Sequence, residues 1–106
     1  MAHYLFSASY THEGLAGLAK EGAASRIKQI EKTMKSLGGK VEAMYWSFGD
    51  ADVVVLAELP DNAAAAALST TVAIAGVAGV RTTILLTADE VDAALAMHPK
   101  YRAPGD

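Results

Sequence analysis

The chain has no cysteine among its 106 residues, which excludes a disulfide framework, a cysteine-ligated zinc or iron–sulfur centre and a thiolate nucleophile. Charge is sparse as well, at 20% of residues, below the average of about 25%. The 9 basic and 12 acidic side chains leave a formal net charge of −3, without the basic footprint of a nucleic-acid binder. The opening MAHYLFSASY lacks a basic stretch ahead of its apolar residues, and polar residues interrupt its apolar run. It does not read as a secretory signal, and a cytoplasmic location is the expectation. No Ser-His-Asp signature, phosphate-cradling loop or dinucleotide fingerprint occurs. Gly14, Gly17 and Gly22 lie beside a helix start without the strand-to-helix spacing that such loops require.

Apolar residues are abundant, at 52% of the chain. The length suits a single domain spanning 1–106, with residues 100–106 as an extended tail. The longest charge-free stretch, Asn62 to Val80, is mostly Ala, Gly, Ser and Thr, which gain little from lipid. Asp61 and Asn62 are helix-capping types, the alanines favour helix, and Gly76 and Gly79 punctuate its end. The stretch therefore reads as helix, turn and strand entry, and no membrane partner is expected.

Period-two alternation from His3 to Tyr10 predicts a first strand, with Tyr4, Phe6, Ala8 and Tyr10 on one face. Thr11 opens a glycine-weakened helical region. A stronger helix begins near Ala23, with Ile27, Ile30, Met34 and Leu37 as its apolar stripe and Gly38-Gly39 as its stop. Lys40–Phe48 and Asp52–Leu59 read as a hairpin around Gly49-Asp50-Ala51, with Gly49 expected to supply a positive φ. Val80–Thr87 reads as the last strand. Thr87 and Glu90 spell a capping box for a short helix whose inner stripe is Val91, Ala94 and Leu95. The order β-α-β-β-α-β plus a C-terminal helix is that of a ferredoxin-like α+β fold, an antiparallel sheet with helices on one face.

The other sheet face raises a conflict. The third strand carries Val53, Val55, Ala57 and Leu59 on one side and Val54 and Leu56 on the other. In the second strand, Val41, Ala43 and Tyr45 compete with Met44, Trp46 and Phe48 for the interior. Exposing either set creates a large apolar patch. The expectation is a homodimer through the open sheet face, or a higher oligomer.

HYLFSASYT with Glu13-Gly14, Leu37-Gly38-Gly39-Lys40, the hairpin Tyr45 to Asp52, Leu59-Pro60-Asp61, Val80-Arg81-Thr82-Thr83, and Leu86-Thr87 leading into Glu90-Val91 together resemble the GYD domain family. That family lies within the dimeric α+β barrel group, so the resemblance implies a ferredoxin-like fold and a dimeric α/β barrel assembly. It names no reaction. Ala51 stands where the family's hairpin pattern carries its tyrosine.

Candidate chemistry is thin, and no cofactor is implied. Tyr10, Tyr45 and Trp46, with Arg81 and Thr83, are candidate ligand-binding residues: aromatic walls with polar handles and one strand-borne cation. Core and dimer packing account for the same aromatic residues, and a salt bridge to Glu58 or to a partner acid accounts for Arg81. The leading expectation is a small-molecule-binding or accessory protein. The alternative is a cofactor-independent monooxygenase or isomerase for an aromatic or polyketide-like molecule, by analogy with other dimeric α+β barrels. His12 would be its proton carrier, Tyr10 its orienting phenol and Arg81 its anion clamp. A third alternative is metal binding by His12 with Asp50 or Asp52, although turn formation explains both aspartates.

Overall fold

In a computed structural model describing residues 1–106, the elements run β1 (Ala2–Tyr10), α1 (His12–Glu21), α2 (Ala23–Ser36), β2 (Lys40–Trp46), β3 (Val53–Leu59), α3 (Asn62–Ile74), β4 (Ala78–Leu85) and α4 (Ala88–Leu95). The four strands form one antiparallel sheet in the order β2-β3-β1-β4. This is an α+β architecture compatible with a ferredoxin-like fold. Local chemistry sets the helix starts. The side chains of Thr11, Asp61 and Thr87 accept the backbone N–H groups of Gly14, Ala64 and Glu90 respectively. Gly22, at φ 91°, turns the chain between α1 and α2, and Gly38, at φ 82°, ends the second. The Ala-rich stretch forms a helix of only 13 residues before its turn, and no helix is long and apolar enough to cross a membrane.

Three local expectations shift. β4 runs from Ala78 to Leu85 rather than from Val80 to Thr87, because Thr87 is engaged as the N-cap of α4 and its backbone and side chain both bond Glu90. In the hairpin it is Phe48, at φ 50°, that takes the left-handed conformation rather than Gly49. Hydrogen bonds from the N–H groups of Ser47 and Gly49 to the carbonyls of Asp52 and Ala51 close that loop. The ambiguity in β2 is resolved by a register irregularity between Val41 and Ala43. One extra residue reverses the alternation, so Val41, Met44 and Trp46 pack toward the helices while Ala43 and Tyr45 lie on the other face.

The core lies between the sheet and the helices. Tyr4, Phe6, Val53, Val55, Ala57 and Leu59 meet Met34 of α2 and Ala65 and Leu68 of α3. Leu59 is fully buried, so Leu59→Ala is expected to cost about 2–5 kcal/mol, measurable by urea denaturation. Tyr4 resolves its buried hydroxyl by donating to Asn62 Oδ1 at 2.7 Å.

Two apolar surfaces stay unpacked. On the open face, cross-strand pairing sets Leu5 between Leu56 and Thr83, with Val54, Ala43, Tyr45 and Leu85 around them. The second surface belongs to α4. Its Val91, Ala94, Leu95 stripe is expected to face inward, yet none of its residues is buried, and Leu95 is 67% exposed. The polypeptide is elongated, 57 Å in its longest dimension with a radius of gyration of 16.8 Å, against about 13 Å for a compact chain of this length.

Candidate functional site

The sheet register divides the sequence-derived site residues between two faces. Tyr10 pairs with Ala78, and Trp46 with Val53, both on the helix side. Arg81 pairs with Ser7, Thr83 with Leu5, and Tyr45 with Val54, all on the open face. Arg81 and Thr83 thus share a face with Ser7 and Ser9, as alternation predicts, and the register makes β1 and β4 direct neighbours. Tyr10, His12 and Arg81 do not converge within one chain. The sheet lies between Tyr10 and Arg81, and His12 is an exposed residue opening α1. Arg81 makes no ion pair, and Glu58 is engaged elsewhere.

On the helix side, Trp46 Nε1 donates to Tyr10 Oη at 3.0 Å, tying β2 to the end of β1. Asp52 completes that junction. Its carboxylate accepts the Tyr10 N–H at 2.8 Å, and its own N–H donates to the Ala8 carbonyl at 2.8 Å. Asp52 is thereby a backbone clamp, in keeping with the turn reading. Asp50 forms no such bond, and His12, Asp50 and Asp52 are not grouped as metal ligands.

A cavity of about 70 Å³ opens between the sheet, α2 and α3. Its wall is almost entirely apolar, including Phe6, Ile30, Met34, Met44 and Val72, with Arg26 as the one charged contributor. Beside it lies a more polar vestibule of about 140 Å³, bounded by Glu13, Gly14, Glu21 and Leu18. Tyr10, Arg26 and Val77 line both. Sequence reasoning found Tyr10 but missed Arg26, which reads as one more polar residue in the first turn of α2.

A separate polar cluster occupies one end of the open face. His3 Nδ1 lies 2.7 Å from Glu42 Oε1, and Lys40 Nζ donates to Glu58 Oε2 at 3.1 Å. One ligand atom each from His3, Glu42 and Glu58 lies within 4.8 Å of the others. This trio is the nearest approach to a divalent-cation site, with the Lys40 ammonium competing for Glu58. The hydrogen bond from Lys40 holds the Glu58 carboxyl below the usual range against partial desolvation, and the charges of Lys40 and His3 act in the same direction. A carboxylate depressed in the folded state contributes stability above its unfolded pKa, near 4.3, and loses it as pH falls through its lowered folded value. Lys40→Met is expected to reduce the steepness of stability against pH below about pH 5, as followed by thermal denaturation across an acid series.

The family model for the GYD domain matches residues 4–95, from the third residue of β1 to the last residue of α4. The chain belongs to the GYD domain family. Within this GYD domain, Ala51 of the hairpin is a buried residue whose carbonyl accepts from Ser47 Oγ and the Gly49 N–H. No curated protein and no solved structure matches the chain.

Proposed function

We propose that this GYD-domain protein is a cytoplasmic homodimer that acts as a small-molecule-binding or accessory protein, holding an apolar guest between its sheet and helices α2 and α3. The apolar cavity carries this reading, since a concave, largely apolar space with few polar groups is the usual form of a ligand site. The absence of a converged Tyr10, His12 and Arg81 set in the single chain favours binding over the monooxygenase or isomerase alternative.

The dimer is supported by the open face, where Leu5, Val54 and Leu56 are only half-buried. A two-fold arrangement lets each copy's open face cover the other's. Protein isolated under native conditions from its own cells is expected to release a small apolar molecule on solvent extraction, detected by mass spectrometry. Val72→Phe, which fills the cavity, should abolish it. An empty wild-type protein that also excludes ring-sized apolar probes overturns the reading.

A further inference from the structure

The boundary between the inner cavity and its vestibule has a specific hydrogen-bonding character. Trp46 Nε1–H donates to Tyr10 Oη, so the Tyr10 hydroxyl acts as an acceptor there and keeps its own hydrogen to donate. No protein acceptor takes that hydrogen. The second polar residue lining both compartments is Arg26, whose guanidinium has only donors to offer. The apolar chamber thus borders two donor-bearing residues, and the Tyr10 hydroxyl hydrogen has no protein acceptor.

Size places a guest across this boundary. The inner cavity, at about 70 Å³, is smaller than the roughly 150 Å³ of a cavity that holds benzene. A ring-sized guest therefore overfills it, and the adjoining 140 Å³ past Tyr10 and Arg26 has room for the remainder. An acceptor atom at the boundary pairs with the Tyr10 hydroxyl hydrogen, which a purely apolar one leaves without a partner.

Electrostatics then choose among acceptors. Arg26 Nη1 lies 3.7 Å from Glu21 Oε1, and Glu13 also borders the vestibule. Two carboxylates face one guanidinium, so a guest carboxylate enters a region of net negative charge. An uncharged carbonyl oxygen meets the same two donors without that repulsion. Resting on the binding reading above, we propose that the cavity takes an uncharged carbonyl compound, a ketone, quinone or ester with an apolar body about one ring in size. Its oxygen lies at Tyr10 and Arg26, and its apolar end points inward.

Trp46 is the sole tryptophan and sits on Tyr10, so its fluorescence reports occupancy, with NMR shift mapping as a second readout. Ethylbenzene, acetophenone, benzoate and 1-phenylethylamine share one framework and differ in the head group. Acetophenone is expected to bind about five- to tenfold more tightly than ethylbenzene, the scale of one net hydrogen bond, and more tightly than either charged compound. Tyr10→Phe and, independently, Arg26→Met should each bring the acetophenone-to-ethylbenzene ratio toward one. Ethylbenzene binding without preference for acetophenone, or a preference for benzoate or the amine, overturns the carbonyl assignment and leaves the cavity reading standing. A ratio unchanged in both variants does the same. Failure of all four compounds to bind overturns the carbonyl assignment, and with an empty protein on native extraction it overturns the binding reading as well.

Discussion

Gly14→Val is expected to lower stability by about 3 kcal/mol or more, a fall in Tm of roughly 12 °C or more for a domain of this size. A Cβ at Gly14 would come within 1.8 Å of the Val77 carbonyl oxygen and 2.8 Å of its carbon. Both are backbone atoms and cannot rotate aside. The same carbonyl accepts the Thr11 N–H at 3.0 Å and the Thr11 hydroxyl at 3.2 Å, and that hydroxyl also reaches the Gly76 carbonyl at 2.8 Å. Relief of the clash requires α1 to lift from the α3–β4 turn, which breaks these bonds and opens the vestibule. Gly17 provides the internal control. It lies one turn further along α1, and a methyl group there would meet nothing within 4 Å, so Gly17→Ala should raise stability by about 0.5–1 kcal/mol through helix propensity alone. Opposite signs at two glycines of one helix separate close packing from propensity, and denaturant titration of the two variants measures both.

Leu56→Glu is expected to convert the proposed dimer to a folded monomer. Leu56 lies on an inner strand of the sheet, on the open face, opposite Leu5 of β1 and Ala43 of β2. In a two-fold interface the change occurs twice. At about 2 kcal/mol for each buried anchor, the dimer dissociation constant should rise roughly a thousandfold. The neighbours Val55 and Ala57 are buried on the helix side and remain in place, so the far-ultraviolet spectrum should be retained while light scattering reports half the mass. A wild-type monomer at micromolar concentration would falsify the dimer. An unchanged dimer in the variant would place the interface elsewhere on the molecule.

Much of the architecture follows from signals that act over a few residues. The capping side chains of Thr11, Asp61 and Thr87 mark helix starts because each bonds an N–H three residues ahead. Gly38 marks a stop because its left-handed backbone suits glycine. Alternation in β1 separates Tyr4 and Phe6 from Leu5 and Ser7, and the structure keeps that division. The β2 pattern fails in isolation because the irregularity after Val41 exists only in relation to β3. The stripe on α4 fails for a related reason. Periodicity identifies an apolar helix face but carries no information about which surface, if any, that face meets.

The amino-acid sequence by itself determined the element types, most of their limits, the α+β class and the family, since caps, breakers and short periodicities are local properties of the chain. Tertiary structure alone decided that Tyr10 and Trp46 face one side of the sheet while Tyr45, Arg81 and Thr83 face the other. It also decided that Arg26 joins Tyr10 at the cavity boundary, that His3 gathers Glu42 and Glu58, and that α4 stands away from its own core. Those relations depend on strand order, register and helix placement, which arise only when segments distant in the chain pair and pack.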